Sequence, residues 1–114
     1  MLLDFWATFC EPCIEKLPHV QALQAKYGEK KLTVIAVTLD PDIQTAVGWA
    51  KAHEMTLPIA RFSDEMKAEF FPGEDVVVIP QTRLLDAEGK LVKAWGPEAS
   101  VSELEQALAE MIGE

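Results

Sequence analysis

The sequence has few glycines and prolines, few basic residues and no long apolar run, and each shortage excludes a class of protein. With 6 Gly, 7 Pro and 49% hydrophobic residues, the chain is neither collagen-like nor intrinsically disordered. No apolar run approaches the roughly 18 residues that a membrane-spanning helix needs. Ten basic against 19 acidic residues give a net charge of −9, which argues against nucleic-acid binding and against docking on anionic lipid. We expect one domain over residues 1–114.

Cysteine is also scarce: the only two are Cys10 and Cys13, in a C-x-x-C spacing. A structural zinc site normally needs four Cys or His ligands, and the two histidines, His19 and His53, form no second close pair. A disulfide that closes so short a ring contributes only about 2 kcal/mol to the stability of the fold in the chain-entropy model, against nearly 5 for a 100-residue loop. We therefore interpret the pair as a redox-active dithiol that needs no metal or other cofactor. Metal binding and an incidental pair are the alternatives.

Hydrophobic periodicity predicts alternating strands and helices without internal repeats. The apolar run Leu2–Trp6 predicts a buried strand, and a helical pattern then runs from the cysteines to Gly28, which we expect as a left-handed cap. Leu32–Leu39 predicts a central strand covered on both faces. A second helix is expected after it, with Pro41 in its first turn.

The second half predicts a short strand, a helical turn or two, a β-hairpin around an Asp-Ala-Glu-Gly turn, and a last helix capped by Ser100 or Ser102. These elements are expected at residues 57–62, 65–71, 81–95 and 100–112. The order predicts an α/β fold: a central mixed sheet of two parallel strands plus an antiparallel hairpin, helices on both faces, and a central insert. Chemistry in such sheets gathers at the carboxyl ends of the parallel strands, where the C-x-x-C lies.

A dithiol exchanger needs one thiolate that attacks and a second thiol that resolves the mixed disulfide. We expect Cys10 exposed at a helix N-terminus, where the dipole favours its thiolate, and Cys13 shielded one turn further in. Pro12 suits the first helical turn. The dipole contributes only about 0.3–2 kcal/mol, and the Glu11 carboxylate opposes it. A thiolate that is only weakly stabilised leaves the reduced form of the protein less favoured, which predicts that the protein is a reductant.

Two carboxylates need an explanation. Asp4 interrupts an apolar strand, where a buried ionised carboxylate costs several kcal/mol. It lies either at an exposed position or beneath the dithiol, as a buried acid of raised pKa that serves as general base for Cys13. Asp40, at the end of the central strand, is either a second carboxylate near the dithiol or a cap for the next helix.

These motifs together resemble a known family. The stretch D-F-W-A at residues 4–7, followed by C-E-P-C at residues 10–13, resembles the D-F-W-A-x-W-C-x-P-C signature of the thioredoxin superfamily. Pro18, five residues after Cys13, matches the family's helix-kinking proline, and Pro80 with the following Q-T-R-L-L-D is similar to the family's P-T-T-F-L-I-D segment. Residues 40–79 resemble the insert of the TlpA/ResA-like thiol–disulfide reductases.

The resemblance implies a thioredoxin-like fold and a reductase that acts on protein disulfides by dithiol/disulfide exchange. It implies that the bond before Pro80 is cis and that the Ile79 backbone pairs with the substrate as an added strand. Trp6 and Phe9 are expected to form an apolar surface around the cysteines, and Arg83 to alter the substrate groove. The expected substrate-binding residues are Pro80, Ile79, Trp6, Phe9, Glu11 and Pro12.

The resemblance also implies partners and a location. The partners are a disulfide-containing protein substrate and an electron-donor thiol protein, which is membrane-bound in the subfamily; the protein is expected to be a monomer outside the cytoplasm, as in the periplasm. The chain begins inside the family's first core strand, so upstream strands and any signal or anchor are expected to be missing from it.

The alternatives to a reductase are a disulfide oxidase or isomerase of the same fold, and a copper-delivery module that uses the cysteines with a histidine.

Overall fold

The computed structural model describes residues 1–112, which form five strands, four α-helices and one short 3₁₀ helix at Gly28–Lys30. The strands are β1 (Leu2–Trp6), β2 (Val34–Thr38), β3 (Ile59–Arg61), β4 (Gln81–Leu85) and β5 (Leu91–Trp95). The helices are α1 (Glu11–Tyr27), α2 (Ile43–Ala52), α3 (Asp64–Phe70) and α4 (Val101–Ile112). Of these helices, none combines the length and apolar character needed to cross a membrane.

All five strands form one mixed sheet in the order β3-β2-β1-β4-β5. The strands β1, β2 and β3 are parallel, β4 runs antiparallel to β1, and β5 runs antiparallel to β4. The predicted mixed sheet with helices on both faces is confirmed. The prediction named two parallel strands, and the structure adds a third, because the central insert contributes β3, which pairs with β2 from Ala36↔Ile59 onward.

Side chains alternate between the two faces of β1, as the pleat of a strand requires. Leu2 and Trp6 point to one core, and Leu3 and Phe5 to the other. We call the first side the α1 face, because its core is completed mainly by α1, α2 and α4, through residues that include Leu17, Val20, Ala46, Leu104 and Leu108. Right-handed crossovers from β1 to β2 and from β2 to β3 place α1 and α2 on this same side. The opposite side, the α3 face, is covered by Phe70 and Phe71.

The hairpin lies where the sequence placed it, with strands at Gln81–Leu85 and Leu91–Trp95. Its turn is fixed by Asp86, whose side chain accepts hydrogen bonds from the backbone N–H groups of Glu88 and Lys90. Gly89 has a φ of 84°, a conformation that glycine adopts without a steric penalty. Local turn chemistry therefore explains why this prediction succeeded.

Helix ends were predicted less well. Gly28 has a right-handed φ of −58° and its N–H continues the helical pattern to the Gln24 carbonyl. The left-handed residue is Lys31, with a φ of 70°, because the 3₁₀ turn extends the helix by three residues.

The start of α2 also differs from the prediction. Asp42 caps this helix by accepting a hydrogen bond from the Gln44 N–H at 2.9 Å. Pro41 therefore precedes the cap and does not lie in the first helical turn. Of the two serines considered for α4, Ser100 is the cap, and its hydroxyl accepts from the Glu103 N–H at 3.3 Å.

Docking of α4 on the sheet predicts a large difference between two leucine truncations. Leu104 is fully buried on the α1 face, whereas Leu91 on the edge strand β5 is 49% exposed. We expect Leu104→Ala to lower the free energy of unfolding by about 2–5 kcal/mol, since it leaves a cavity. The matched control Leu91→Ala should lower it by less than about 1 kcal/mol. Denaturant titrations followed by circular dichroism measure both, and equal losses would contradict this packing.

Candidate functional site

The cysteine pair lies at the junction between β1 and α1. Cys10 is the N-terminal cap of α1 and forms a disulfide with Cys13, with their Cα atoms 5.3 Å apart. The Cys13 N–H donates to Cys10 Sγ at 3.3 Å. Pro12 lies in the first turn, where its missing N–H leaves no helical bond unmade. The first sulfur is therefore held at the positive end of the helix dipole.

Both cysteines are largely shielded. Cys13 is 1% exposed, as its expected position requires, but Cys10 is only 9% exposed. This corrects the expectation of an exposed attacking sulfur. In this disulfide form Cys10 Sγ is bonded to the buried Cys13, and only a small part of Cys10 reaches the surface.

Asp4 is buried beneath this helix and is 1% exposed. Neither carboxylate oxygen has a hydrogen-bond partner among the described residues. The nearest cation is Lys16, whose Nζ lies 3.6 Å from Asp4 Oδ1, slightly too far for a hydrogen bond. Burial raises the pKa of Asp4 to about 6, and the opposing effect of the Lys16 charge limits that rise. The exposed-position interpretation of Asp4 is therefore wrong.

Lys16 links the Asp4 carboxylate to α1, the helix that carries the cysteines. It follows Cys13 by three residues, and residues at that spacing are neighbours on one helix face. Its side chain is 9% exposed, and Nζ donates to the hydroxyl of Thr82 on β4. The sequence analysis missed Lys16 and Thr82. The available signal was a lysine on the same helical stripe as Cys13, Leu17 and Val20, facing a strand that carries an unexplained acid.

Asp40 links the end of β2 to the loop before the cysteines. It is 4% exposed and accepts hydrogen bonds from the Thr8 N–H at 3.0 Å, the Thr8 hydroxyl at 2.7 Å and the Thr38 hydroxyl at 2.6 Å. The interpretation of Asp40 as a helix cap was wrong, because Asp42 caps α2. Asp40 instead fixes the backbone two residues before Cys10.

The segment before β4 borders the same end of the sheet. Phe5 is opposite Gln81 in the antiparallel register, so Pro80 lies level with the end of β1, beside the loop that carries Cys10. The Ile79–Pro80 peptide bond is cis. Pro80 is buried and Ile79 half-buried.

The other residues assigned to substrate binding differ in exposure. Phe9 is 73% exposed, and Glu11 and Pro12 are exposed beside it. Trp6 is fully buried, with its ring centroid 5.3 Å from that of Trp49 on α2. This corrects the expectation that Trp6 contributes to an apolar surface around the cysteines, since the even-numbered positions of β1 face the core beneath α1. The Trp6 Nε1 has no hydrogen-bond partner within the described part of the chain.

Arg83 is also not where the groove prediction placed it. It is 7% exposed, and its register partner in β1 is Leu3, which puts it on the α3 face. Its guanidinium donates to the backbone carbonyls of Phe70, Thr82 and Trp95 and lies 4.4 Å from the ring centroid of Phe71. Burial lowers the pKa of Arg83. Arg83 therefore joins the hairpin to the chain after α3, on the opposite side of the sheet from the cysteines.

No three His, Cys, Asp or Glu side chains within residues 1–112 lie close enough together to hold a metal ion. His53 stacks on the ring of Trp49, with the two ring centroids 4.1 Å apart. Among the described residues, neither histidine therefore joins Cys10 and Cys13 in the kind of ligand group that the copper-delivery alternative requires.

Comparison with known proteins gives consistent matches. A family model described as Redoxin matches residues 1–108. The thiol-disulfide oxidoreductase ResA of Bacillus thuringiensis subsp. konkukian is 28% identical over 108 residues, and the match covers 95% of this chain and 61% of ResA. The thioredoxin-like protein YneN of Bacillus subtilis is 30% identical over 111 residues, covering 95% of this chain and 62% of YneN. The chain therefore spans less than two thirds of the length of these curated relatives.

Solved structures show the same fold. A thiol:disulfide interchange protein of the thioredoxin family from Chlorobium tepidum TLS superposes with a TM-score of 0.82 at 18% identity, covering 97% of this chain and 78% of that one. StoA from Bacillus subtilis superposes with a TM-score of 0.70 at 24% identity, covering 92% of this chain and 78% of StoA. The expected thioredoxin-like fold is confirmed.

The raised pKa of Asp4 predicts how stability depends on pH. An unfolded Asp has a pKa of about 3.9, whereas burial raises the pKa of folded Asp4 to about 6. Between these values the folded state holds a proton that the unfolded state has lost, so Asp4 makes the free energy of unfolding fall as pH rises from about 4 to 6. In the oxidised protein, the stability of Asp4→Asn relative to wild type should rise over this window by up to about 3 kcal/mol and then level off.

Denaturant titrations at a series of pH values measure this difference. The matched control is Asp75→Asn, since Asp75 is exposed, and its difference from wild type should stay nearly constant. A constant difference for Asp4→Asn as well would contradict the burial of an acid with a raised pKa.

Proposed function

This chain belongs to the Redoxin family and is a TlpA/ResA-like protein of the thioredoxin superfamily, and we propose that it is a thiol–disulfide oxidoreductase that reduces disulfides in proteins. The observation that carries the proposal is the Cys10–Cys13 disulfide at the N-terminus of α1. A disulfide that closes so short a ring adds little to the stability of the fold, so we infer that its role is reversible oxidation and reduction.

In the proposed reaction, the Cys10 thiolate of the reduced protein attacks one sulfur of a substrate disulfide. The substrate S–S bond breaks, a mixed disulfide with Cys10 forms, and one substrate thiolate leaves. Cys13 then attacks Cys10 Sγ, which restores the Cys10–Cys13 bond and releases the second substrate thiolate. The substrate gains two electrons and, with protons from Cys13 and solvent, two thiols. Cys10 takes the attacking role because it caps the helix, whereas Cys13 is buried behind it.

Asp4 is proposed as the general base for the second step. Its side chain reaches α1 one turn beyond Cys13, through the contact with Lys16. With a pKa of about 6, the carboxylate is mostly ionised at neutral pH and close enough in acidity to exchange a proton with a thiol. A general base must be ionised to accept a proton, and this environment satisfies that condition.

The substrate is proposed to bind along the segment before β4. The Ile79 backbone would pair with an extended substrate chain, and Pro80 would hold that backbone beside the Cys10 loop. Phe9, the most exposed aromatic side chain near the cysteines, would contact apolar side chains of the substrate. Glu11 and Pro12 form the surface of the first helical turn.

Reduction is the proposed direction. The helix dipole favours the Cys10 thiolate by only about 0.3–2 kcal/mol, and Glu11 in the first turn of α1 acts against it. A thiolate that is only weakly stabilised leaves the reduced form a ready electron donor. An oxidase or isomerase of the same fold would use the same two cysteines and differ in reduction potential.

The proposed partners are a disulfide-containing protein substrate and a thiol protein that reduces Cys10–Cys13 again after each turnover. In the TlpA/ResA-like subfamily this donor is bound to the membrane and the domain works outside the cytoplasm, and we propose an extracytoplasmic location, such as the periplasm, for this domain as a monomer. No bound cofactor is required, because both electrons come from the cysteine pair.

Separate replacement of the two cysteines tests the roles. In an insulin-reduction assay with a dithiol donor, Cys10→Ser should abolish activity because no thiolate can attack. Cys13→Ser should also stop turnover but accumulate a mixed disulfide with the substrate, visible by non-reducing electrophoresis and mass spectrometry. Each variant is the control for the other, since both remove one thiol from the same ring. Wild-type activity in Cys10→Ser would contradict the assignment of Cys10 as the attacking residue.

Equilibration with a series of thiol redox buffers tests the direction. We expect a reduction potential near or below about −250 mV, close to that of thioredoxin at roughly −270 mV. The fraction oxidised is measured by mass spectrometry after alkylation. A potential well above that range, with faster oxidation than reduction of a model substrate, would favour the oxidase alternative instead.

A further inference from the structure

We propose that Lys16 is a positioning residue for this site: from the buried face of α1 it keeps the Asp4 carboxylate ionised, so that Asp4 can accept the proton of Cys13. The inference rests on the proposed function and adds to it the group that tunes the proton acceptor.

The first argument is geometric. Lys16 Nζ is 3.6 Å from Asp4 Oδ1 and donates to the Thr82 hydroxyl. Thr82 is the register partner of Asp4 across β1 and β4. The hydroxyl therefore fixes the ammonium group above the two strands, beside the carboxylate. The three side chains come from α1, β1 and β4, so the folded core determines their arrangement.

The second argument concerns the burial of Lys16. A lysine near a surface normally extends its flexible stem so that the ammonium group stays in water. Lys16 is instead 9% exposed, and the one carboxylate within salt-bridge distance of it in the described chain is Asp4. Burying a charge is unfavourable unless it is paired. The pair is therefore a specific feature of the site rather than a surface ion pair.

The third argument is that the other groups facing Asp4 are not charged in the oxidised protein. Its register partners are Ala36 on β2 and Thr82 on β4, and α4 contributes the apolar Leu104 and Leu108. On α1, Cys10 and Cys13 titrate only after their disulfide is reduced.

Two further titratable groups on this side of the molecule have other partners. The Tyr27 hydroxyl, at the far end of α1, contacts Glu105. Asp40 is occupied by Thr8 and Thr38. Burial therefore raises the pKa of Asp4, and Lys16 is the group that opposes this rise.

The chemical consequence falls on the resolving step. Cys13 loses its proton to the Asp4 carboxylate and attacks Cys10 Sγ; the Cys10–Cys13 bond forms, the bond from Cys10 to the substrate breaks, and the substrate leaves as a thiolate. Without the lysine charge, the pKa of Asp4 would rise further, so a smaller fraction of Asp4 would be ionised at neutral pH and able to accept the proton of Cys13. The first step, attack by Cys10, does not need Asp4.

Stopped-flow reaction of the reduced protein with DTNB, a small aromatic disulfide, separates the two steps. Attack by Cys10 releases one coloured thiolate, and attack by Cys13 on the resulting mixed disulfide releases the second. We expect Lys16→Met and the more polar Lys16→Gln to move the pH midpoint of the second phase upward by about 1–3 units, the usual effect of an opposite charge at this range. Near about pH 6.5 the second phase should then be at least about tenfold slower than wild type, and the gap should close toward about pH 9.

Two controls make this specific. Lys26→Met removes the same charge from the same helix, but at an exposed position where Lys26 pairs with Glu105, and it should leave both phases unchanged. In an Asp4→Asn background, Lys16→Gln should no longer shift the midpoint of the second phase, because the group on which it acts is gone.

The outcomes separate the two hypotheses. A wild-type midpoint for the second phase in both Lys16 variants would overturn the proposal, and so would a shift that persists in the Asp4→Asn background. If the wild-type protein releases no thiolate from DTNB, the proposed oxidoreductase function itself fails.

Discussion

The turn that leads from β1 into α1 is the constraint on which the rest of the site depends. It must end a fully buried strand, start a helix whose first cap is a cysteine, and hold both cysteines within bonding distance. Within the turn, the Cys10 N–H bonds to the Ala7 carbonyl at 3.1 Å. Asp40 supports the turn from the neighbouring strand through Thr8. The helix dipole can act on the first sulfur because this short connection places Cys10 at the N-terminus of α1.

Two buried carboxylates lie near this turn, and their surroundings differ. The oxygens of Asp40 accept three hydrogen bonds from Thr8 and Thr38, so this side chain holds the loop before Cys10 against the end of β2. The oxygens of Asp4 accept none from the described residues and have one cation 3.6 Å away. Burial raises the pKa of Asp4 to about 6, against the opposing charge of Lys16, so this carboxyl group can exchange a proton near neutral pH. The contrast separates a residue that holds the loop from one proposed to take part in the chemistry.

The amino-acid sequence predicts the parts of the fold that local rules determine. The strands around Asp86, a serine cap at the start of α4 and the position of Cys10 at a helix N-terminus follow from periodicity and turn or cap chemistry. The three-residue strand β3 was located, but not its place in the sheet, because its pairing with β2 is decided by distant contacts.

The functional residues divide in the same way. The cysteines and Asp4 stand out in the sequence because their residue types are unusual where they occur. The burial of Trp6 could not be read from its motif, because the side chain is directed by the alternation of β1. The position of Arg83 depends on carbonyls from three separate segments, so no local pattern reveals it. Lys16 was predictable in principle, since a lysine on an apolar helical stripe needs a counter-charge wherever its ammonium group is buried.

The recessed position of Cys10 beside the exposed ring of Phe9 has a consequence for how partners approach. An incoming protein meets a 73% exposed phenyl ring before it can reach a residue that is only 9% exposed. In the oxidised protein, a partner that reduces the Cys10–Cys13 bond would therefore find this ring available for apolar contact beside the recessed sulfur.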